Sequence, residues 1–134
     1  MGQTLTIATG WIIAGMVVLT IVLGIVLRRR TTPPELLVRM RPHFWLGIAV
    51  PIVTLVHLTP SMTGGWAANV NSVGLGLATV AFLLAIIQAS VGNQLRRATE
   101  ANYRSLRATH LLVLAGLVSF AAGHIIANSG VLSG

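Results

Sequence analysis

The sequence has no cysteine among its 134 residues, and only two acidic residues, Glu35 and Glu100. Without thiols the chain has no disulfide bond, thiolate metal site or iron–sulfur cluster. Both acids lie outside the apolar segments, which argues against a metal-ion path through the membrane, because such paths use intramembrane carboxylates. Charged residues make up only 8% of the chain, whereas a soluble domain carries about 25%.

Apolar residues dominate what remains, at 54% of the chain with a mean hydropathy of +0.85. A chain this short has too little interior to hide so much apolar surface from water. The composition therefore predicts an integral membrane protein whose surroundings are a lipid bilayer. The net charge of +7 does not indicate a nucleic-acid partner, because the basic residues flank apolar segments, as juxtamembrane arginines do.

Four apolar segments cover about residues 7–27, 42–58, 73–91 and 109–128. Each has roughly 20 residues, which as a helix with a rise of about 1.5 Å per residue crosses a hydrocarbon core of about 30 Å. Helices are expected because a spanning segment must satisfy its own backbone hydrogen bonds. We predict an all-α fold, a transmembrane four-helix bundle that forms a single domain over residues 1–134.

The nine basic residues are all arginine, and they fall in two groups between apolar segments. The first group is Arg28, Arg29, Arg30, Arg39 and Arg41, and the second is Arg96, Arg97, Arg104 and Arg107. The positive-inside rule places both arginine loops in the cytoplasm and both termini on the outer side. The second and fourth helices then run parallel. We expect a multi-pass protein of a prokaryotic inner (cytoplasmic) membrane.

The four histidines form two pairs with identical spacing. His43 and His57 lie on the second segment, His110 and His124 lie on the fourth, and each pair reads H-x13-H. Fourteen residues at about 100° each come within about 40° of whole turns, so both members face one way, about 21 Å apart. Corresponding histidines are 67 positions apart in a chain of twice that length. This suggests a two-fold repeat of residues 1–67 and 68–134.

Facing histidines at two matched depths suit two stacked haems, because two imidazoles fill both axial positions of a haem iron. We predict that His43 and His110 bind the iron of an inner haem b, and that His57 and His124 bind the iron of an outer one. Filled axial positions favour electron transfer over oxygen chemistry. The alternative for any single histidine is a structural hydrogen bond to a neighbouring helix.

Further cofactor-binding residues are expected beside these ligands. Arg41 and Arg107 would pair with haem propionates in a bidentate fork, or would only set topology and bind lipid headgroups. Gly47, Gly116 and Gly123 would let a macrocycle approach the ligand helices, although small residues also serve ordinary helix packing.

The motifs RPH at 41–43 and RATH at 107–110, with the paired H-x13-H helices, resemble the two-haem membrane cytochrome b superfamily. That superfamily includes the haem bundle of respiratory cytochrome b, ferric-reductase-like domains, and small quinone- or superoxide-linked b-type cytochromes. The resemblance implies that the four histidines are axial ligands. It also implies electron exchange with a quinone, a partner redox protein, or both.

Three functions follow from this interpretation. The favoured one is transmembrane electron transfer between a quinone pool and a partner redox protein, without catalytic residues of its own. The second is a stand-alone membrane oxidoreductase that reduces superoxide, quinone or ferric iron, so enzyme status stays open. The third, of another class, is an antenna-like chlorophyll-binding protein, in which each magnesium needs only one histidine.

Overall fold

A computed structural model describes residues 2–29, 36–63 and 71–128, with side chains described for 6–28, 38–59 and 71–128. Five helices lie in these ranges, and no strand does. They are α1 (Gly2–Arg29), α2 (Leu36–Arg39), α3 (Arg41–Thr63), α4 (Ser72–Arg96) and α5 (Glu100–Asn128). The predictions that rest on Arg30, Glu35 and the side chain of Arg29 lie outside the described residues.

Four of these helices are long and apolar enough to cross a membrane. The candidate spans are Thr6–Arg28, Arg41–Thr59, Ser72–Arg96 and Glu100–Asn128, with mean hydropathies of 2.6, 1.4, 2.0 and 1.9. This result confirms the all-α class and the four spanning helices that the predicted transmembrane four-helix bundle requires. The chain is a multi-pass integral membrane protein.

The chain divides into two compact units, Met1–Pro60 and Ser61–Gly134. In the first unit α1 and α3 are antiparallel, because His43 contacts Thr20 while His57 contacts Thr9. In the second unit α4 and α5 are also antiparallel, because His124 contacts the Gly74 end of α4. Each unit is therefore a helical hairpin, and the single domain and the two-fold repeat stay predictions.

Local hydrogen bonds fix the ends of α4 and the start of α5. The Asn71 side chain accepts a hydrogen bond from Val73 N at 3.0 Å, which caps α4. The Thr99 carbonyl accepts from Asn102 N and Tyr103 N at 3.2 and 3.0 Å, which closes the first turn of α5. The favourable contact of an acidic residue with a helix N-terminus is supplied by Glu100.

The early start of α5 corrects one part of the arginine assignment. The prediction that Arg104 and Arg107 lie in a loop was wrong, because both lie in the first turns of α5, which begins at Glu100. Four more arginines of the predicted loops also lie at helix ends: Arg28, Arg39, Arg41 and Arg96. Arginine is a good helix former, and the capping turn at Thr99 nucleates the helix before the apolar stretch begins. At about 1.5 Å per residue, the 29 residues of α5 reach about 43 Å, longer than the hydrocarbon core.

Most described side chains are exposed on the isolated chain, as lipid-facing residues are. Among the described residues, the buried apolar ones are Val50, Ala85, Val91 and Leu117. Leu112 and Trp11 are 74% and 68% exposed. Such surface would be costly in water, but lipid tails are as apolar as leucine. Helix association inside the membrane therefore depends on close packing and on hydrogen bonds between helices.

Candidate functional site

His43 points from α3 to the arginine-bearing end of α1. Its Nδ1 lies 2.8 Å from the Thr20 carbonyl oxygen. A carbonyl only accepts, so Nδ1 carries the proton and donates it. A Cβ added to Gly24 would lie 3.1 Å from His43 Cε1, so the ring occupies the space that a side chain at Gly24 would fill. The Nε2 atom is left as the nitrogen with the lone pair.

His57 makes an equivalent contact at the other end of the same two helices. Its Nδ1 lies 2.9 Å from Thr9 Oγ1. The Thr9 hydroxyl donates its own proton to the Thr6 carbonyl at 3.0 Å, so Thr9 Oγ1 accepts from His57 Nδ1–H. A Cβ on Gly10 would lie 3.4 Å from His57 Cε1. Here too the lone pair is on Nε2.

His124 of α5 donates from Nδ1 to the Gly74 carbonyl of α4 at 2.8 Å. The Asn128 Nδ2 atom is 3.1 Å from the same Nδ1, and it donates to the His124 carbonyl at 2.8 Å. Because one nitrogen cannot donate and accept at once, the Gly74 bond determines the tautomer. A Cβ on Gly74 would lie 2.6 Å from Asn128 Nδ2, so the Asn128 amide would have to move if Gly74 carried a side chain.

His110 differs from the other three in which nitrogen meets the neighbouring helix. Its Nε2 lies 3.2 Å from the Nε2 atom of Gln88 on α4. The amide N–H donates and the imidazole Nε2 accepts, so the ring is again protonated on Nδ1. A Cβ on Gly92 would lie 3.5 Å from His110 Cε1. The Nε2 lone pair is therefore engaged by the Gln88 amide.

All four histidines thus lie beside a glycine of the companion helix in their own unit. The pairs are His43 with Gly24, His57 with Gly10, His110 with Gly92 and His124 with Gly74. Both histidines of each helix contact the same companion helix, in agreement with the H-x13-H spacing. Each imidazole is half-buried. His43, His57 and His124 are held with the proton on Nδ1, which suits Nε2 ligation of a metal. In His110 the Nε2 atom instead accepts from Gln88.

The glycines that the sequence analysis named lie elsewhere on the histidine-bearing helices. A Cβ on Gly116 would lie 3.3 Å from Leu84 Cδ1, and one on Gly123 would lie 3.4 Å from Leu77 Cδ1. Both leucines belong to α4, so these two glycines contribute to the packing of α4 against α5. Among the described residues, none lies within 4 Å of a Cβ added to Gly47. A role of these three in haem clearance stays a prediction.

The two arginines expected to bind propionates lie close to the inner histidines in the chain. Arg41 is exposed at the first residue of α3, two positions before His43. Arg107 is half-buried on α5, one helical turn before His110. These positions are compatible with propionate binding and with headgroup binding alike, so both interpretations stay open.

Several residues around the histidines were not anticipated from the sequence. They are Thr9, Thr20, Gln88, Gly10, Gly24, Gly74 and Gly92. One signal was available for two of them, because Gly10 and Gly24 are 14 positions apart, the spacing of the histidines they face. Another was Gln88, whose amide stands out within an apolar segment.

The fold and these contacts define a class: an all-α integral membrane protein with four candidate spans and paired intramembrane histidines. Among the described residues no three histidine, cysteine or acidic side chains come together as a metal site, so any metal bound there would rely on two-histidine ligation. No protein-family model, curated protein or solved structure matches the chain.

Proposed function

We propose that this chain is a membrane electron-transfer protein that binds two b-type haems through its four histidines. One observation carries the proposal: His43, His57 and His124 each donate Nδ1–H to an oxygen of the companion helix. Ligating histidines almost always donate their other ring N–H in this way, which fixes the tautomer and raises the basicity of the ligand nitrogen. A merely structural histidine does not need the same nitrogen protonated each time.

The surroundings of the four imidazole rings also support the proposal of bound haem. A glycine of the companion helix lies beside each histidine. At Gly24 an added Cβ would lie 3.1 Å from the His43 ring, closer than ordinary contact, so the absence of a side chain there leaves room for the ring. The pairing of His43 with His110, and of His57 with His124, is inferred from their matched positions in the sequence. Both pairs lie in spans with no Asp or Glu inside the apolar stretch to compete as ligands.

Bound haem would supply a one-electron Fe(III)/Fe(II) couple. The chain's own contribution is to hold the ligand nitrogens and to exclude water. Apolar residues of the four spans keep ions and water from the imidazoles, and the Nδ1 hydrogen bonds prevent the rings from turning. Arg41 and Arg107 would place positive charge near the inner pair, where it favours the reduced iron and binds carboxylates.

The membrane orientation and the redox partners are part of the proposal. The arginine-bearing ends face the cytoplasm of a prokaryotic cell, following the positive-inside rule. Electrons pass between a quinone and a partner redox protein. The runner-up is a stand-alone oxidoreductase on the same scaffold, which would turn over superoxide, quinone or ferric iron without a partner.

A reduced-minus-oxidised absorbance spectrum of the purified protein tests the proposal directly. We expect a low-spin b-type signal and two haems per chain by haem assay. His57→Ala should retain one haem, whereas the control Thr54→Val should retain two, because the Thr54 hydroxyl bonds only to its own helix at Val50.

Absence of haem from the purified protein would refute the proposal, and so would a His57→Ala variant that still binds two. Bound chlorophyll in place of haem would favour the antenna-like alternative. Catalytic turnover by the purified protein alone would favour the stand-alone oxidoreductase.

A further inference from the structure

In His110 the nitrogen that would ligate a metal, Nε2, contacts a side chain of the companion helix. The lone pair of its Nε2 accepts from the Gln88 amide at 3.2 Å. The other three present Nδ1 to a companion-helix oxygen. His110 therefore has the protonation state of a ligand but not the hydrogen-bonding pattern of one.

The first unit shows what the corresponding turn looks like when Nδ1 is the bonded atom. The two turns are Thr20–Gly24 facing His43, and Gln88–Gly92 facing His110. In both, the ring's Cε1 lies against the glycine and one ring nitrogen bonds to the residue four positions before it. In the first unit that nitrogen is Nδ1, and the acceptor is an oxygen. In the second it is Nε2, and the partner is a nitrogen.

Gln88 also carries an oxygen, Oε1, that could accept from His110 Nδ1 as the Thr20 carbonyl accepts from His43 Nδ1. Its Oε1 is inaccessible to solvent and accepts no hydrogen bond within the part of the chain that the structure describes. A buried acceptor left unsatisfied is costly, and more so among apolar spans with no water to serve it. His110 Nδ1 is likewise shielded from solvent. The two side chains are already in contact, because His110 Nε2 lies 3.2 Å from Gln88 Nε2.

We propose that Gln88 is the positioning residue of His110. When His110 acts as a ligand, the Gln88 Oε1 atom accepts its Nδ1–H, and Nε2 is released from the amide. The rearrangement needs only torsions of the two side chains, and no proton is gained or lost. It satisfies the buried Oε1 and gives His110 the hydrogen-bonding pattern of the other three histidines. This inference rests on the proposed function.

The test compares Gln88→Leu with Gln88→Glu in the full chain in lipid nanodiscs, with Gln94→Leu as the matched control. Gln94 is exposed on the same helix. Loss of a residue that hydrogen-bonds to a metal-ligating histidine lowers the affinity of the site for its metal by about 10–100-fold. We expect Gln88→Leu to weaken haem binding at one of two sites by that factor. We also expect one midpoint potential to rise, since a tenfold weaker preference for ferric iron corresponds to about 59 mV for one electron.

Gln88→Glu keeps an acceptor and should retain both haems, with one midpoint potential at or below that of the unmodified protein. If Gln88→Leu does not accumulate in the membrane, Gln88→Glu alone tests the inference. Loss of one haem from Gln88→Glu overturns it. Unchanged or tighter binding by Gln88→Leu also overturns it, because Gln88 would then be a bystander or a competitor for the lone pair. In that case two haems on the unmodified protein would leave the proposed function intact. Absence of haem from the unmodified protein overturns both.

Discussion

Replacement of Gly24 by alanine tests whether the glycines beside the histidines are there for the rings. An added Cβ at Gly24 would lie 3.1 Å from His43 Cε1 and 3.2 Å from Nδ1. Carbon atoms in favourable contact are about 3.5–4.0 Å apart, so the ring must move by a few tenths of an ångström. The matched control is Gly15→Ala on the same helix, where an added Cβ meets no atom of the described part of the chain within 4 Å.

The free-energy cost of moving the His43 ring is limited by the strength of the hydrogen bond that the movement weakens. The ring is held by the 2.8 Å hydrogen bond from Nδ1 to the Thr20 carbonyl, which would lengthen toward the 3.2 Å limit of a good bond. Interhelical side-chain hydrogen bonds in membranes contribute about 0.6 kcal/mol on average and at most about 1.7 kcal/mol. Both variants gain the same helix propensity on going from glycine to alanine, about 1 kcal/mol, so their difference isolates the contact.

We therefore expect the free energy of unfolding of haem-free Gly24→Ala to be about 0.6–1.7 kcal/mol below that of Gly15→Ala. Reversible unfolding in mixed micelles measures this difference. Haem titration should show affinity at one site reduced about 10-fold or more in Gly24→Ala alone. Equal stability and equal haem affinity in the two variants would show that Gly24 does not serve the His43 ring.

Two other expectations follow from the same contacts. Thr9→Val removes the oxygen that accepts from His57 Nδ1 and should lower haem affinity at one site about 10-fold. The control Thr79→Val changes an exposed hydroxyl bonded to its own helix and should leave haem affinity unchanged. Equal effects of the two variants on haem affinity would contradict the reasoning. Because the chain has no cysteine, single-cysteine variants report sidedness. A membrane-impermeant maleimide should label Arg97→Cys only in inverted vesicles and Asn71→Cys only in right-side-out ones, and the reverse pattern would refute the orientation.

The helices were predictable because the length of an apolar run directly specifies a membrane span. The start of α5 was not, since a capping turn at Thr99 extends the helix through polar residues that hydropathy assigns to a loop. The same limit explains why Arg104 and Arg107 were misplaced. Hydropathy shows how long the apolar stretch is, whereas hydrogen bonds at the terminus decide where a helix begins.

The histidines could be found from spacing alone, but most of their partners could not. The acceptors for His43 and His124 are the backbone carbonyls of Thr20 and Gly74, and a carbonyl carries no signature in the sequence because every residue has one. The Gln88 side chain was readable, since an amide within an apolar span needs an explanation. Its contact with His110 depends on the packing of α4 against α5, which sequence position does not reveal.

The hydrogen bonds of the histidines also bear on how the chain enters the bilayer. An imidazole in hydrocarbon without a partner is costly, so a lone α3 or α5 would be a poor candidate for insertion. Each hairpin supplies the partners for its own histidines: α1 serves α3, and α4 serves α5. The first hairpin can therefore leave the translocon and persist in the lipid while the second is still being synthesised, before any cofactor arrives.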